Sequence, residues 1–460
     1  MKLGVLILAA GEGTRMRSRT PKVLHELAGR PLLSHVIETA RDFSPDEITI
    51  VYGHGGERVR ELLDAPDLDW CEQQQRLGTG HAVLQALPYL QRVEQVLILY
   101  GDVPLLQADS LRTLLAAMQA DQGGSDLALL TVELDDPSGY GRILRNADGR
   151  VTAIVEQKDA SEAQQRIREV NTGIMAVQRS RLEAWLGRID NHNSQGEYYL
   201  TDIIALAVAD GVEIACVHPH SEQEVLGVND RRQLATLERY YQRRQAERLM
   251  LAGVTLADPG RIDIRGRLRA GRDVFIDANV LFEGEVELGD GVSIGPNVQI
   301  KDSRIQQDAQ ILANSVIEAS EVGVGCVIGP FARLRPATRL AAGVKVGNFV
   351  EIKKSQVAEG SKINHLSYVG DSQIGSRVNI GAGTITCNYD GANKHRTVIG
   401  DDAFIGSDTQ LVAPVTVGAG ATIGAGSTIT RDAPARQLTL SRPRQVSVEG
   451  WQRPQKPPRK

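Results

Sequence analysis

The sequence predicts an α/β protein made of two domains and a long linker helix. Three observations carry this prediction. Short apolar runs alternate with amphipathic stretches up to about residue 230, aliphatic residues recur every six residues after about residue 264, and residues 231–252 are polar and lack both proline and glycine. We therefore expect one domain at 1–230, a linker helix at 231–252 and a second domain at 253–460.

The six-residue rhythm predicts a parallel β-helix. A helix repeats about every 3.6 residues and a strand every two, so neither explains a hexad. Very short strands joined by tight turns do, because positions six apart then lie on successive faces of a coil and stacked coils bury one aliphatic column. A β-sandwich with coincidental spacing is the alternative, but it does not account for several series in phase. These series are Val274, Val280, Val286, Val292 and Val298; Ile276, Phe282, Leu288, Ile294 and Ile300; and Ile399, Ile405, Leu411, Val417, Ile423 and Ile429.

The first 230 residues are typical of a Rossmann-like domain with a mostly parallel, doubly wound sheet. Helical stretches such as Pro31–Ala40 separate the apolar runs. The predicted strands are Leu3–Leu8, Glu47–Tyr52, Gln95–Tyr100 and Leu127–Val132.

The two remaining segments have distinct patterns. In 231–252, Leu234, Leu237 and Tyr241 lie near one helical face, and the predicted helix stops at Gly253. The hexad is broken at 383–397, where Asn, Asp and Gly replace the aliphatic residues. A loop pushed out of a β-helix is a favourable place for function.

Composition excludes several classes of protein. The net charge of −5 favours neither a nucleic-acid binder nor a membrane-surface protein, and no run approaches the roughly 20 apolar residues of a membrane span. The apolar run near the N-terminus is short and leads into a glycine loop, so we interpret it as a strand and not as a signal peptide. The four cysteines are scattered and show no metal-binding spacing, which favours the cytoplasm. The basic C-terminal stretch is short and proline-rich, as a solvated tail would be.

A glycine loop follows the first predicted strand. In Leu8–Met16, Gly11 and Gly13 allow backbone N–H groups to turn inward around an anion. Arg15 and Lys22 add two cations within a dozen residues, a combination that suits a triphosphate. The loop is neither a dinucleotide-binding G-x-G-x-x-G nor a Walker loop. A structural turn with surface cations is the alternative.

Asp102 follows another strong apolar strand. In open α/β sheets ligands bind outside the carboxyl ends of the strands, and Mg²⁺ on a nucleotide usually takes one or two protein oxygens. Asp102 is therefore a candidate Mg²⁺ ligand, and a helix cap is the alternative. Other polar residues fall in compact runs, each of which could be a turn or cap taken singly: Gln73, Gly78 and Thr79, Gly141, Glu156, Asn171, Thr201 and Asn229.

Together these runs resemble the sugar-phosphate nucleotidylyltransferases. The strings LAAGEGTRM, LGTGHA, YGDVPL, GYGRI, NTGI, QGEYYLTD and GVN stand in the order and spacing of that family. The resemblance implies that Leu8, Ala9, Ala10, Gly11, Arg15 and Lys22 hold UTP, with Tyr100 and Gly101 beside them. It implies that Gln73, Gly78 and Thr79 read uracil, that Gly141, Glu156, Asn171 and Thr201 hold the amino sugar, and that Asp102 and Asn229 bind Mg²⁺. Glu12 stands where a lysine is common in the motif, and we assign it no role.

Polar residues also gather in the later coils, where the hexad is least regular: Arg335, Lys353, His365, Tyr368 and Asn379. Acetyl transfer to an amine requires removal of the ammonium proton, and imidazole titrates near neutral pH. We therefore expect His365 to be a general base, with Arg335 and Lys353 binding a sugar phosphate and Asn379 its hydroxyls or amine. The alternative is a repeat domain that serves only as a scaffold.

The second half resembles the hexapeptide-repeat acyltransferases. That family has a left-handed coil and forms homotrimers with acetyl-CoA bound between subunits, and both properties are implied here by the resemblance alone. It also implies that Ala382, Asn388, Tyr389, Lys394, Ser407, Ala425 and Arg442 contact acetyl-CoA, and that Asn388 and Tyr389 help position the amine or oxyanion. Cys387 lies in the same loop, and we take it as a bystander thiol.

Over the whole chain the resemblance is to bifunctional enzymes that make UDP-N-acetylglucosamine. Such enzymes acetylate glucosamine 1-phosphate with acetyl-CoA and then join N-acetylglucosamine 1-phosphate to UTP, with release of pyrophosphate, for peptidoglycan and lipopolysaccharide synthesis. Two alternatives are a nucleotidylyltransferase whose β-helix only oligomerises it, and a nucleotide-sugar sensor without turnover.

Overall fold

The computed structural model describes residues 2–11, 13–53, 56–119 and 124–456. Glu12, to which the sequence assigns no role, lies outside them. The chain divides into two compact units, residues 1–242 and 243–460. Among the described residues, no helix combines the length and the apolar character that crossing a membrane requires.

A mostly parallel sheet forms the centre of the first unit. Its strand order is β11-β7-β10-β6-β1-β4-β5, and β1 pairs in parallel with both β4 and β6. Only β10 runs antiparallel along this path, and the hairpin of β8 and β9 extends from it. The strands of this unit are β1 (Leu3–Ala9), β2 (Glu26–Leu27), β3 (Arg30–Pro31), β4 (Glu47–Gly53), β5 (Asp69–Gln73), β6 (Gln95–Tyr100), β7 (Leu127–Glu133), β8 (Arg142–Arg145), β9 (Val151–Val155), β10 (Glu169–Gln178) and β11 (Ala215–Val217).

Helices cover both faces of this sheet, as the doubly wound prediction requires. Val5 and Ile7 of β1 belong to one buried apolar cluster, whereas Leu6 and Leu8 belong to another, because successive strand residues point to opposite faces. The helices are α1 (Leu32–Arg41), α2 (Glu57–Leu63), α3 (Thr79–Ala86), α4 (Ala108–Ala116), α5 (Glu162–Gln165), α6 (Arg179–Leu186), α7 (Asp202–Ala209) and α8 (Arg231–Leu251), with short 3₁₀ turns at Thr14–Met16, Lys22–Leu24, Leu87–Tyr89 and Glu222–Val225.

The predicted linker helix is α8. It ends two residues before Gly253, which has a φ of 96° that favours glycine. Leu237 and Tyr241 pack with Met16 and Leu27 in the first unit. Ala246 belongs to the core of the second unit. The helix therefore contributes side chains to both hydrophobic cores. Because most of its other residues are polar, it has no continuous apolar face.

The second unit is a parallel β-helix, which confirms the prediction from the hexad. One sheet contains the strands of one face of the coil, in order from β12 to β39. A second sheet contains the strands of the other two faces, which alternate along the chain. Its strands are β12 (Thr255–Leu256), β13 (Ile262–Ala270), β14 (Phe275–Ile276), β15 (Val280–Leu288), β16 (Ser293–Ile294), β17 (Gln299–Lys301), β18 (Arg304–Ile305), β19 (Gln310–Ile311), β20 (Val316–Glu318), β21 (Ser320–Val322), β22 (Val327–Ile328), β23 (Arg333–Leu334), β24 (Thr338–Leu340), β25 (Lys345–Asn348), β26 (Glu351–Lys353), β27 (Gln356–Val357), β28 (Lys362–His365), β29 (Tyr368–Gly370), β30 (Ser372–Ile374), β31 (Asn379–Ile380), β32 (Ile385–Cys387), β33 (Thr397–Ile399), β34 (Phe404–Ile405), β35 (Gln410–Val412), β36 (Val415–Val417), β37 (Thr422–Ile423), β38 (Thr428–Ile429) and β39 (Leu438–Thr439).

The pairing register shows how the hexads build the coil. Ile276 pairs with Ile294, eighteen residues on, so three hexads make one coil. Ile380 pairs with Ile405, twenty-five residues on, because the predicted loop is inserted in that coil. The loop is shorter than the break at 383–397, since β32 (Ile385–Cys387) is still a strand. The buried members of the hexads form a single apolar column.

The polar residues from Arg335 to Tyr368 lie on coils that depart from three full hexads, in agreement with the irregular hexad expected there. Val346 pairs with Ile363 and Glu351 with Tyr368, each seventeen residues on, which is one residue short of the eighteen of a full coil. Polar side chains can occupy these coils because they stand on outward-facing positions, which the buried column does not constrain.

Candidate active sites

The carboxyl ends of four neighbouring parallel strands meet at one edge of the first sheet. Leu8 of β1 pairs with Tyr100 of β6, and the backbone N–H of Gly101 donates to the Leu8 carbonyl at 2.9 Å. On the other side, Gly53 at the end of β4 pairs with Gln73 at the end of β5. The glycine loop after β1 therefore lies between the loop that carries Asp102 and the end of β5, as expected for a ligand site in such a sheet.

Four charged and polar side chains converge beside this loop. Lys22 forms an ion pair with Asp102, and its Nζ lies 3.4 Å from Oδ1 of Asn229. Arg15 donates from Nη2 to the same Asn229 oxygen at 3.0 Å. Asn229 lies more than 200 positions along the chain from Arg15 and Lys22, and the fold brings them together. Asp102 is not used as a cap for α4 (Ala108–Ala116), so the capping alternative is wrong.

The loop depends on its glycines where it approaches Lys22. Gly13 has a φ of 63°, and a Cβ there would lie 2.6 Å from the Cβ of Lys22. The loop thus packs directly on the stem of Lys22. A Cβ on Gly11 would lie 3.9 Å from the Lys22 ammonium nitrogen, so the charged end of the side chain faces the loop.

A second group of predicted residues lies at the end of β5 and the start of α3. The Gln73 amide donates to the Gly78 carbonyl at 3.0 Å and contacts Nδ1 of His81 at 3.1 Å. Burial lowers the pKa of His81, so its ring is neutral at pH 7 and accepts from the amide. The hydroxyl of Thr79 accepts the backbone N–H of Leu200 at 3.0 Å.

The residues predicted to hold the amino sugar surround the Glu156 carboxylate. Thr201 donates its hydroxyl to Glu156 Oε1 at 3.0 Å, and a Cβ on Gly141 would lie 3.4 Å from the same oxygen. The backbone N–H of Asn171 donates to the Gly141 carbonyl at 2.8 Å. Burial raises the pKa of Glu156, and the Thr201 hydrogen bond partly opposes this shift. The structure thus groups Gly141, Glu156, Asn171 and Thr201.

Tyr100 links this group to Asp102. It is tightly packed, since a Cβ on Gly173 would lie 2.5 Å from its ring. Burial raises the pKa of Tyr100, and the Glu156 and Asp102 carboxylates add to the effect. Among the described residues no group of three or more His, Cys, Asp and Glu side chains could hold a metal ion, so a metal here would rely on fewer protein ligands.

In the β-helix, His365 stands on the outside of the coil at the end of β28 (Lys362–His365). It is exposed, and its Nδ1 lies 3.1 Å from Oδ1 of Asn348, its register partner on β25 (Lys345–Asn348). The Asn348 carbonyl oxygen is placed to accept a proton from Nδ1, an arrangement that would leave the ring's lone pair on Nε2. Sequence reasoning missed Asn348, but the signal was present, because it precedes His365 by one coil of seventeen residues.

A polar cluster lies on the coils before and after His365. Arg335 donates to Glu351 at 2.7 Å, and Glu351 is the register partner of Tyr368. The Asn388 amide, which is buried, donates to Asp371 at 2.6 Å and lies 3.4 Å from the Tyr368 hydroxyl. Sequence reasoning also missed Glu351 and Asp371, which precede Tyr368 and Asn388 by one coil each. Lys353 pairs in register with Gly370, beside Tyr368.

Three of the residues predicted to bind acetyl-CoA, Ala382, Ser407 and Ala425, form a row with His365 along one corner of the coil. Backbone N–H groups join successive members: Gly383 to the His365 carbonyl at 3.3 Å, Asp408 to that of Ala382 at 2.7 Å, and Gly426 to that of Ser407 at 2.8 Å. Arg442 donates to the carbonyl of the last member, Ala425, at 3.0 Å. We call His365, Ala382, Ser407 and Ala425 the corner row.

The inserted loop and one other predicted residue lie outside this row. Tyr389 and Lys394 pair across the loop, and the Lys394 ammonium lies 4.6 Å from the centre of the Tyr389 ring. Asn379 pairs in register with Lys362, at the opposite end of the strand from His365. Cys387 is half-buried, and burial raises the pKa of its thiol, consistent with an unreactive bystander.

The fold and the two sites define a nucleotidyltransferase joined to a hexapeptide-repeat transferase. The family model for MobA-like NTP transferase domains matches residues 5–168, and the model for bacterial transferase hexapeptides (six repeats) matches residues 396–431.

Similar proteins extend the match over the whole chain, and each of those described here is named "Bifunctional protein GlmU". The protein of Azoarcus sp. (strain BH72) is 61% identical over 452 residues, which cover 98% of this chain and 99% of that protein. Those of Ralstonia nicotianae (strain ATCC BAA-1114 / GMI1000) and Nitrosospira multiformis (strain ATCC 25196 / NCIMB 11849 / C 71) are 60% and 57% identical, each over at least 99% of both chains. The chain belongs to the GlmU family.

Membership of this family makes the chain a bifunctional enzyme, a uridylyltransferase and an acetyltransferase. It acts on small molecules, and its uridylyltransferase class uses a divalent metal. The scaffold-only and sensor alternatives from the sequence are therefore wrong, since the family carries both activities.

Proposed function

We propose that each half of the chain performs one of the two reactions. Residues 253–460 acetylate glucosamine 1-phosphate with acetyl-CoA, and residues 1–230 transfer uridylyl from UTP to the resulting N-acetylglucosamine 1-phosphate and release pyrophosphate. The product, UDP-N-acetylglucosamine, supplies peptidoglycan and lipopolysaccharide synthesis. The observation that carries the proposal is the placement of one anion-binding edge on the first sheet and one exposed, oriented imidazole on the β-helix.

The glycine loop and its cations fit the UTP phosphates. Leu8, Ala9, Ala10 and Gly11 present backbone at the edge of the sheet, and Gly101 closes the adjoining strand end. Arg15 and Lys22 converge on that edge. Backbone N–H groups and two cations together stabilise a polyphosphate and the negative charge that develops during transfer.

Gln73 is suited to read uracil. Its amide nitrogen is engaged by the Gly78 carbonyl and His81, so the side chain offers a ligand its carbonyl oxygen. That oxygen can accept the N3–H of uracil, a donor that cytosine lacks. Gly78 and Thr79 hold the backbone around it, because a Cβ on Gly78 would lie 2.4 Å from the Tyr198 carbonyl.

The Glu156 group is suited to hold the amino sugar. Its carboxylate, held by Thr201, accepts hydrogen bonds from sugar hydroxyls, and the Asn171 side chain adds a donor and an acceptor. The Gly141 and Asn171 backbones fix the two strands relative to each other. The buried ring of Tyr100 packs on Gly173 beside this group.

Asp102 and Asn229 are suited to hold Mg²⁺. Mg²⁺ prefers oxygen ligands and usually takes one or two carboxylates or amides besides phosphate and water. The fit is supported by the ammonium of Lys22, a cation that already contacts both residues. When bound, the ion would neutralise phosphate charge. Transfer itself needs no protein nucleophile, since the sugar phosphate oxygen attacks the α-phosphorus in line while Arg15 and Lys22 stabilise the charge that develops.

His365 is suited to remove the ammonium proton of glucosamine 1-phosphate. The Asn348 carbonyl oxygen holds the proton on Nδ1, so Nε2 is the proton acceptor. Arg335, Lys353 and Tyr368 lie along the next face and would bind the phosphate, with Asn379 one coil further on. The freed amine then attacks the thioester carbonyl, and coenzyme A leaves as the thiol.

The corner row is suited to hold acetyl-CoA. Ala382, Ser407 and Ala425 have small side chains and are at least partly exposed, so they leave a narrow open track along the corner. Successive coils are about 4.8 Å apart, so the row extends about 14 Å beyond His365, a length that suits an extended pantetheine arm. Arg442 donates to the Ala425 carbonyl at the end of the track. The family resemblance adds Asn388, Tyr389 and Lys394 of the inserted loop to the acetyl-CoA contacts, and the cations Arg442 and Lys394 suit the phosphates of coenzyme A.

A homotrimer would complete this open site. Phe331, Phe349 and Leu366 are 49%, 57% and 63% exposed, and they stand one coil apart beside Asn348 and His365. The first two rings stack at 5.3 Å. An exposed apolar strip next to a catalytic base is explained if a neighbouring copy covers it, which would also exclude water from the thioester. Light scattering should give three times the subunit mass of 49.9 kDa. A monomer mass would contradict this part of the proposal.

The cytoplasm is the proposed location. Cys71, Cys216, Cys326 and Cys387 are all free thiols, as the reducing cytoplasm favours. Fractionation of expressing cells should recover both activities with cytoplasmic markers, and recovery with periplasmic markers would contradict the proposal.

Two substitutions test the division of labour. His365→Ala should reduce acetyl transfer at least about a thousandfold and leave uridylyl transfer unchanged. Asp102→Ala should do the converse. Thiol release from acetyl-CoA and pyrophosphate release from UTP measure the two reactions separately on the same protein. If either substitution reduces both activities equally, or the wrong one, the assignment of sites is wrong.

A further inference from the structure

Lys22 occupies the position where a divalent cation would bind. Its ammonium group bonds directly to one Asp102 oxygen and lies 3.4 Å from the Asn229 carbonyl oxygen. These are the two oxygens that the proposed function assigns to the metal. Arg15 donates to that same Asn229 oxygen at 3.0 Å. Both candidate ligands therefore already accept hydrogen bonds from cationic side chains.

The ion pair is shielded from solvent. The Lys22 and Asp102 side chains are only 12% and 17% exposed. Removing a carboxylate from water is costly unless a cation accompanies it, and a divalent cation beside a fixed ammonium is repelled strongly at such short range. Lys22 therefore both stabilises Asp102 and excludes a second cation from it.

The geometry also provides an alternative position for the ammonium. Gly13 packs on the Cβ of Lys22 and fixes the start of the side chain. The ammonium end lies beside Gly11, on the side of the loop proposed to receive the phosphates. A rotation about the outer bonds of the side chain would carry the charge from Asp102 to a phosphate without any change in the backbone.

We propose that Lys22 is an internal substitute cation that closes the metal site until a nucleotide binds. A triphosphate draws Lys22 and Arg15 away from Asp102 and Asn229, and only then are both oxygens available to a metal. Free divalent cations consequently bind weakly to the nucleotide-free enzyme, and metal and nucleotide enter together. This inference rests on the proposed function, because it takes Asp102 and Asn229 as the metal ligands.

The test is Mn²⁺ binding to the full-length protein without nucleotide, measured by electron paramagnetic resonance of free Mn²⁺. Lys22→Met keeps the length of the side chain without its charge, and we expect it to bind Mn²⁺ about tenfold or more tightly than the wild type. Lys22→Arg keeps the charge and should stay within about threefold of the wild type. Arg15→Met controls for the loss of a nearby charge that does not touch Asp102, and its gain should be clearly smaller than that of Lys22→Met.

The double variant Lys22→Met/Asp102→Asn separates the inference from the proposed function. It should lose the gained Mn²⁺ affinity. If it binds Mn²⁺ as tightly as Lys22→Met, then Asp102 is not a metal ligand and the proposed function is wrong on this point. If Asp102→Asn abolishes Mn²⁺ binding but Lys22→Met binds no more tightly than the wild type, the metal assignment stands and the substitute-cation inference is wrong. Lys22→Gln repeats the test should the Met variant not fold, as judged by circular dichroism.

Discussion

The two candidate sites are built by opposite strategies. The site on the first sheet is assembled from loops far apart in sequence, with its charges already paired and its glycines pressed against neighbouring side chains. The site on the β-helix is laid out along the surface, and His365 is exposed. The corner row has one residue on each successive coil, because the coil repeats. In the first site, by contrast, the residues also pack against one another.

This difference predicts how substitutions will act. Changes on the β-helix should alter binding or turnover with little effect on stability, whereas changes at the sheet edge should affect both.

Ser407→Phe should block the corner row. A phenyl ring would fill the narrow track between Ala382 and Ala425, so the KM for acetyl-CoA should rise at least about a hundredfold. Uridylyl transfer and the thermal unfolding midpoint should be unchanged. Ala419→Phe places the same ring at an exposed position on a different corner and should be neutral. An equal effect of both substitutions would show that the corner row is not the acetyl-CoA site.

Asn348→Ala should impair the general base without removing it. His365 would lose the acceptor that holds its Nδ1 proton, so kcat for acetyl transfer should fall about ten- to a hundredfold while the KM for acetyl-CoA changes little. The pH–rate profile should also shift, which a purely structural role would not cause. Gln310→Ala, an exposed polar residue on the same sheet, is the matched control. A normal profile and kcat in Asn348→Ala would mean that Asn348 does not orient His365.

Gly78→Ala should destabilise the first unit by about 2 kcal/mol and raise the KM for UTP. Gly78 has a φ of 107°, and the added Cβ would lie 2.4 Å from the Tyr198 carbonyl. Gly196→Ala is the control, because it also has positive φ (67°) but meets nothing within 4 Å. Urea denaturation followed by tryptophan fluorescence reports on this unit through Trp70 and Trp185. Equal losses in the two variants would show that φ alone, and not the contact with Tyr198, sets the cost.

Asp202→Asn should stabilise the first unit in a pH-dependent way. Burial, with Asp190, Glu156 and Asp159 nearby, raises the pKa of Asp202 from 3.8 to about 6. The folded state therefore binds the proton more tightly than the unfolded state, and the charged carboxyl weakens the fold as the pH rises through this interval. The gain from Asn should be about 1–2 kcal/mol well above pH 6, and it should vanish below the unfolded pKa of 3.8.

The same urea denaturation, run at about pH 7.5 and about pH 4, measures this gain. Asp148→Asn removes an exposed carboxyl and is the control. A gain that is equal at both pH values would exclude titration of Asp202 as its cause.

Much of the molecule was determined by the sequence alone. The six-residue period determined the β-helix, because stacked coils bury aliphatic side chains that recur every six residues. The pattern of strands and the glycine loop determined the position of the first site, because parallel strands end at a common edge of the sheet. The strings around Arg15, Asp102 and His365 indicated where chemistry would occur. The period of the coil also places Asn348 one coil before His365 and Glu351 one coil before Tyr368, although no sequence motif includes them.

Which charges meet depends on the packed fold. The resemblance implied that Lys22, Asp102 and Asn229 serve one site, but nothing in the chain between them shows that the Lys22 ammonium contacts both of the other side chains. Likewise, the fold alone places the Tyr198 carbonyl against Gly78, and α3 turns His81 toward Gln73. Short-range sequence patterns specify helices, strands and turns, because backbone sterics and the burial of one face act over a few residues. Side-chain contacts between elements depend on distances that only the packed fold sets.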